Sequence, residues 1–176
     1  MSESIPVRFN SEEIIGLAIQ METAGGLFYE RIAQLMTDVS LKRLMHHLGE
    51  MEQLHKNSYM TLRASFIASL RRLDSAPPEP AILEYLQTWI EGKVFKKDSL
   101  LNFFKTRQTM ENVLWQAIEM EKDSIAFYSG LRELVHDADE KRLVNQIIQE
   151  ELAHVVELGK LMRSESLDQV IIPGES

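Results

Sequence analysis

The stretch Val144–Leu158, VNQIIQEELAHVVEL, decides how the rest of this chain must be arranged. Within it, Glu151 and His154 stand three residues apart and therefore share one face of a helix. The same face carries only apolar neighbours, namely Val144, Ile147, Ile148, Val155 and Leu158. A carboxylate and an imidazole are thus directed into a core, where an unpartnered charge is costly. A single Glu-x-x-His pair occurs often by chance, so it indicates a functional site only if other parts of the chain supply matching residues.

The chain repeats this pair, and much else, at an offset of 99 residues. The offset relates Glu52 and His55 to Glu151 and His154. It also joins Glu22 to Glu121, Asn10 to Thr109, Asp38 to Asp137, Phe28-Tyr29 to Phe127-Tyr128 and Lys42-Arg43-Leu44 to Lys141-Arg142-Leu143. No insertion is needed between the first of these positions and the last. The sequence therefore predicts one helical hairpin used twice.

Four residues that favour helix starts precede the four long apolar-periodic segments. These predicted N-caps are Asn10, Asp38, Thr109 and Asp137, with Glu13 and Glu140 completing capping boxes at the first and the last. Three prolines between positions 77 and 80 end the first hairpin. Each hairpin alone would expose its apolar stripe, so we expect the two to close into a four-helix bundle.

The connection between the hairpins is long and contains two short segments with helical spacing, 81–90 and 100–104. Its large apolar side chains, Trp89, Phe95, Phe103 and Phe104, are expected to cover the bundle or to form a subunit contact. A long crossover is typical of ferritin-like bundles rather than of simple up-down ones. We predict an all-α single domain, 1–176, that divides into a hairpin repeat 10–72, a crossover 73–108, a second hairpin repeat 109–163 and a tail 164–176. The apolar part of that tail, Val170-Ile171-Ile172, packs back or docks on a neighbour.

Folding the two halves together brings six ionisable residues to one another in the core: Glu22, Glu52, His55, Glu121, Glu151 and His154. Four carboxylates in a dry site are unfavourable unless they are protonated or neutralised, and two divalent cations would balance them. Oxygen ligands with one imidazole per metal suit iron or manganese, with zinc also possible. The alternative, an ordinary packed core, must explain six ionisable residues on apolar faces at one shared offset.

Tyr29 and Tyr128 lie seven residues after Glu22 and Glu121, on the inward face two turns along. They are either core tyrosines with satisfied hydroxyls or hydrogen-bond donors to metal ligands. The sequence leaves both readings open.

Composition excludes several classes of function. The net charge is −8, with 27 acidic and 19 basic residues, which argues against nucleic-acid binding. The chain has no cysteine, so disulfides, thiolate metal sites and iron–sulfur centres are excluded. No apolar run approaches the length of about 18 residues that spans a bilayer, and the first residues do not resemble a signal peptide. We expect a cytoplasmic protein without membrane or nucleic-acid partners.

From Asn10 to Met162 the chain resembles the rubrerythrin branch of the ferritin-like superfamily. The resemblance rests on Glu22, Glu121 and the two Glu-x-x-His segments, 52–55 and 151–154. It implies a non-haem centre of two iron ions that reduces hydrogen peroxide, or reacts with dioxygen while oxidising iron. It further implies that Glu52 and Glu151 bridge the metals and act in catalysis, while Glu22 and Glu121 are terminal ligands. His55 and His154 would each bind one iron.

Two departures from the rubrerythrin pattern matter. Rubrerythrins carry a cysteine-ligated rubredoxin-like domain that feeds electrons to the centre, and here any electron donor must be external. They also hold an extra glutamate one turn beyond the third-helix ligand, where this chain has Ser124. The function therefore stays open between a di-iron oxidoreductase of the peroxidase or ferroxidase type and an iron-binding or metal-sensing protein without turnover. A bundle without physiological metal and an oxygenase of organic substrates are further alternatives, and a homo-oligomer, a dimer, is expected.

Overall fold

The computed structural model describes residues 11–71, 80–90, 97–135, 137–164 and 169–172. Three features of the predictions fall outside these ranges: the N-cap Asn10, the connection 72–79 and the aromatic residue Phe95. The side chain of Glu13, predicted to complete a capping box, also lies outside what the structure describes. In the part that is described, helix dominates, so the predicted all-α class is confirmed.

The elements follow the order that the spacing predicted. The helices are α1 (Ser11–Leu35), α2 (Val39–Arg71), α3 (Pro80–Ile90), α4 (Lys97–Lys105), α5 (Met110–Leu134) and α6 (Ala138–Ser164). The long helices α1 and α2 pack along each other, as do α5 and α6, and the two pairs meet to form the bundle. None of the described helices is both long enough and apolar enough to cross a membrane.

Side-chain oxygens cap three of the four long helices, as predicted. Each oxygen accepts backbone N–H groups of the first turn, which have no partner within the helix. The pairs are Asp38 with Ser40 and Leu41, Thr109 with Asn112, and Asp137 with Asp139 and Glu140.

The predicted capping box at the start of α6 is wrong in its second half. Glu140 does not return to the backbone of Asp137: its Oε1 accepts the hydroxyl of Ser65 from α2. Its other oxygen has no described hydrogen-bond partner, and the side chain is buried. Packing between α6 and α2 thus decides where this carboxylate points, not the local sequence.

Two clusters of buried apolar side chains fill the bundle, with ionisable residues between them along each long helix. The Tyr59 cluster includes Ile15, Tyr59, Phe66, Tyr128 and Ile147, and the Tyr29 cluster includes Tyr29, Met45, Val113 and Leu158. Helices α1 and α6 run from the Tyr59 cluster to the Tyr29 cluster, whereas α2 and α5 run the opposite way. Because α2 and α5 are parallel, the connecting segment must return along the bundle, as the predicted crossover requires.

The crossover covers the bundle as it returns. On α3, Trp89 is buried in the Tyr59 cluster with its ring edge against Phe127, at 5.7 Å between centroids. On α4, Phe103 and Phe104 pack on Phe28 of the Tyr29 cluster, at centroid distances of 5.9 and 5.8 Å. The side chains that the sequence singled out here, where described, are therefore packed within the chain.

A short two-stranded sheet ties the tail to the bundle. Strand β1 (Gln108–Thr109) pairs antiparallel with β2 (Val170–Ile172), and the N–H of Met110 donates to the carbonyl of Gln169 at 2.8 Å. Ile171 and Ile172 are buried in the Tyr29 cluster. The apolar part of the tail thus packs back on its own chain.

Candidate metal centre

The layer between the two apolar clusters holds all six predicted ligands, which are between 0 and 5% exposed: Glu22, Glu52, His55, Glu121, Glu151 and His154. The helices α1 and α5 supply one of these residues each and α2 and α6 supply two each, and all six lie between residues of one apolar cluster and residues of the other. Helix periodicity places them inward, and the clusters on both sides separate them from water.

The six residues form two overlapping groups, and within each group one ligand atom of every residue lies within 4.8 Å of those of the others. The first group is Glu22, Glu52, His55 and Glu151, and the second is Glu121, Glu151 and His154. Glu151 belongs to both groups, as a ligand shared between two ions would. Glu52 is grouped with the first set alone, and the bridging roles of both glutamates stay predictions.

Both imidazoles direct Nδ1 at the carboxylates. Nδ1 of His55 lies 3.2 Å from Oε1 of Glu151 and 3.5 Å from Oε2 of Glu22. Nδ1 of His154 lies 2.9 Å from Oε2 of Glu151 and 3.6 Å from Oε1 of Glu121. The two rings are nearly parallel, 6.3 Å apart between centroids. One carboxylate therefore separates two imidazoles, with one oxygen facing each.

The hydroxyls of Tyr29 and Tyr128 bind carboxylates of the opposite half of the repeat. Tyr29 donates to Oε1 of Glu121, and Tyr128 donates to Oε1 of Glu22. The two bonds are equivalent under the 99-residue offset, so the sequence repeat appears in the structure as an approximate twofold relation. Both tyrosines are fully buried, and each leaves the second oxygen of its glutamate free to face the site.

Gly25 provides the room for the carboxylate of Glu52. A Cβ at position 25 would lie 2.7 Å from both Cδ and Oε1 of Glu52, closer than side chains approach. The counterpart of Gly25 in the second half is Ser124, which is buried. Helix α1 thus keeps a glycine in its interior, at a cost in helix propensity, where a carboxylate of α2 lies against its backbone.

Burial raises the pKa of two of the four carboxyls. The pKa of Glu52 is well above its usual value because of desolvation and of the neighbouring Glu22. Desolvation also raises the pKa of Glu121, against the opposing effect of its contact with His154. A proton or a cation is therefore needed near these groups at neutral pH.

The two histidines and Glu151 shift toward their charged forms. Burial favours neutral imidazole, but Glu151 and Glu22 raise the pKa of His55 to about 11, and Glu121 and Glu151 raise that of His154 to about 9. Burial likewise acts against the ionised form of Glu151, yet its contacts with the two histidines lower its pKa. Protons and metal cations thus compete for the same atoms, so metal binding must release protons.

Four inward-facing atoms have no hydrogen-bond partner among the described residues. They are Oε2 of Glu22, Nδ1 of His55, Oε2 of Glu121 and Oε1 of Glu151. Buried polar atoms are normally satisfied, so four unsatisfied ones converging on one place indicate a missing partner. All four are lone-pair donors of the kinds that divalent first-row metal ions accept. The residues present therefore fit a pair of such ions.

Two residues next to the site were not identified from the sequence. Glu150 lies 2.8 Å from Nε2 of His55, and Tyr59 stacks on Tyr128 with its hydroxyl unsatisfied among the described residues. The 99-residue offset could not reveal them, because their counterparts are Met51 and Leu158. At both positions the two halves of the repeat carry residues of different chemical type.

Comparison with solved structures identifies the architecture. A Thermotoga maritima protein, provisionally assigned as a ferritin-like diiron-carboxylate protein, superposes with a TM-score of 0.61 at 21% identity over 89% of this chain and 96% of that one. The fold is therefore ferritin-like. A hypothetical protein from Pyrococcus furiosus matches with a TM-score of 0.58 at 20% identity, over 90% of this chain and 91% of that one. No family model matches the sequence, and no curated protein is detectably similar.

Proposed function

We propose that this chain is a non-haem di-iron redox protein that reduces hydrogen peroxide or reacts with dioxygen. The observation that supports the proposal most is the position of Glu151, whose two oxygens face the inward nitrogens of His55 and His154. A carboxylate between two imidazoles, with three more carboxylates around it, is the donor arrangement of two-metal carboxylate centres.

Iron is the proposed metal because the donors are four carboxylates and two imidazoles, without sulfur. Such ligands suit iron and manganese, and zinc also tolerates them. The protein of Thermotoga maritima is itself provisionally assigned as a ferritin-like diiron-carboxylate protein, which favours iron over the other two.

The six residues would hold two ferrous ions, which would supply the two electrons that, with two protons, convert hydrogen peroxide into two waters, each iron becoming ferric. The carboxylates neutralise the metal charge, and Tyr29 and Tyr128 hold Glu121 and Glu22 so that one oxygen of each faces the site. The apolar clusters on both sides limit access of water. Electrons for a further cycle come from a separate protein or a small reductant, since the chain has no cysteine for a redox centre of its own.

A second candidate, iron oxidation or iron sensing without peroxidase turnover, is favoured by Ser124 and Gly25. Rubrerythrin-type cycling uses an extra glutamate at the position of Ser124, and this buried serine supplies no carboxylate. At the corresponding position of α1, no side chain fits beside Glu52 without displacing it. Neither position therefore adds a carboxylate to the four of the candidate ligand set.

Metal analysis and rapid kinetics test these candidates together. Protein purified without added metal should contain iron, and the anaerobically ferrous-loaded protein should be oxidised by peroxide faster than by dioxygen in stopped-flow absorbance. The Glu151→Ala and Glu52→Ala variants should lose this reaction, whereas Glu157→Ala, an exposed change on the same helix as Glu151, should keep it.

The outcomes separate the candidates. Repeated oxidation in the presence of a reductant supports the peroxidase, and a single oxidation without recycling supports the iron-handling alternative. If the loaded protein reacts with neither oxidant, the redox proposal is wrong. If two equivalents of iron do not bind at all, the metal centre itself is wrong.

A further inference from the structure

One of the two imidazoles has a carboxylate on its outer side. Nε2 of His55, on α2, lies 2.8 Å from Oε2 of Glu150, on α6. The other oxygen of Glu150 accepts the side-chain amide of Gln146 at 2.9 Å, so both oxygens of this carboxylate are held. The side chain of Glu150 is 30% exposed, whereas that of His55 is buried. Glu150 is therefore held at the edge of the metal centre, facing His55.

This contact determines how His55 presents its inner nitrogen. When Nε2–H donates to Glu150, the neutral ring keeps its lone pair on Nδ1, which faces Glu151 and Glu22. A carboxylate behind a histidine fixes the ring orientation and makes the opposite nitrogen a better metal ligand. Glu150 thus prepares His55 for a cation without touching the cation itself.

His154, the counterpart of His55, lacks such a carboxylate at the equivalent position of the repeat. The 99-residue offset places Met51 where Glu150 would be and His47 where Gln146 would be. A thioether is only a weak acceptor and cannot hold an imidazole N–H as a carboxylate does. Within the described ranges, no carboxylate bonds to Nε2 of His154, whose contacts are both made by Nδ1. The six candidate ligands follow the approximate twofold relation, but the carboxylate behind His55 has no equivalent at position 51.

We propose that Glu150 is a positioning residue that makes the two metal subsites unequal. The subsite of Glu22, Glu52, His55 and Glu151 then fills first, and the subsite of Glu121, Glu151 and His154 fills second. The inference rests on the proposed function in one respect, that these residues bind two ions. Outer partners of histidine ligands change metal affinity by about 10- to 100-fold, and the two subsites should differ by a factor in that range.

The repeat offers matched variants for the test. Glu150→Met gives both halves a methionine, Met51→Glu gives both a glutamate, and the double exchange moves the glutamate to the His154 side. Glu157→Met is the control for loss of an exposed acid on α6. Each full-length, metal-free protein is crystallised with one equivalent of Co²⁺, and anomalous scattering gives the occupancy of each subsite. Calorimetric titration with Co²⁺ gives the two affinities in solution.

The wild type and the Glu157→Met control should place most of the cobalt at the His55 subsite. Glu150→Met should bring the two occupancies close to equal, and the double exchange should reverse the preference. If Glu150→Met does not fold, Met51→Glu decides, because it should raise occupancy at the His154 subsite. Equal loading of the wild type, or a preference that survives both Glu150→Met and the exchange, overturns the inference. Absence of any cobalt binding would instead count against the metal centre, so the two failures are distinguishable.

Discussion

Replacing Gly25 with alanine should weaken metal binding more than it weakens the fold. The new Cβ would lie 2.7 Å from Cδ and Oε1 of Glu52, about 0.7 Å inside the 3.4 Å at which ordinary contact begins. Glu52 is buried and cannot move into solvent without leaving the centre. To relieve the contact, either the Glu52 side chain must leave its position or α1 must shift in its packing.

The magnitude follows from two opposing effects. Overpacking of this kind costs about 1–3 kcal/mol, while alanine in a helix interior is favoured over glycine by about 0.5–1 kcal/mol. The metal-free protein should thus lose at most about 2.5 kcal/mol. If Glu52 turns away to relieve the strain, metal binding must return it at a cost of about 1–3 kcal/mol, which corresponds to an affinity about 5- to 150-fold weaker.

Urea unfolding of the metal-free protein and calorimetric titration with Co²⁺ separate the two effects. Gly26→Ala is the matched control on the same helix, because its Cβ would lie 3.7 Å from both Cβ of Glu52 and the carbonyl of Gly49, in ordinary contact. We expect Gly26→Ala to gain about 0.5–1 kcal/mol of stability with unchanged affinity. If Gly25→Ala binds cobalt as tightly as the wild type, contact with Gly25 does not position Glu52.

Three further changes test other parts of the structure. Tyr29→Phe should destabilise the metal-free protein by about 1–3 kcal/mol in urea unfolding, because it leaves the buried Oε1 of Glu121 without its donor; an unchanged midpoint would contradict this. The metal-free protein should lose thermal stability as pH rises above 6.5, since carboxylates raise the pKa of His154 to about 9 and that of His55 to about 11. The protonated imidazoles stabilise the fold fully below the histidine pKa of the unfolded chain, and this stabilisation is lost as pH rises through their pKa values in the folded protein. Two equivalents of metal should make the melting temperature, measured by calorimetry, depend less on pH. Thr109→Ala should cost about 1 kcal/mol through loss of the α5 cap, without changing metal affinity.

Much of the fold could be predicted because the evidence for it is local. Helix periodicity, the caps Asp38 and Thr109, and the prolines after α2 each act within a few residues. The 99-residue repeat added the long-range information that local patterns lack, since equivalent positions in two hairpins must occupy equivalent places. The ionisable positions on apolar faces could therefore be selected before any contact was known.

Contacts between side chains of different helices could not be predicted from local patterns or from the repeat. Tyr29 was expected on the inward face of α1, either as a core tyrosine or as a donor to a metal ligand that the sequence could not name, and the structure shows that its hydroxyl donates to Glu121 of α5. Glu140 has the spacing of a capping box, yet its side chain bonds Ser65. Such choices depend on how far each helix is rotated and shifted against its neighbour, which the packing of the whole core decides.

By itself, then, the amino-acid sequence determined that this chain forms helices, that it forms them as a repeated pair, and that Glu22, Glu121 and the two Glu-x-x-His pairs face inward. The tertiary structure alone decided that Glu151 lies between the two imidazoles and that Glu150 lies against the outer nitrogen of His55. The reason is that the direction of a side chain from its helix axis follows from sequence spacing, whereas the atom it meets depends on the distance and angle between helices.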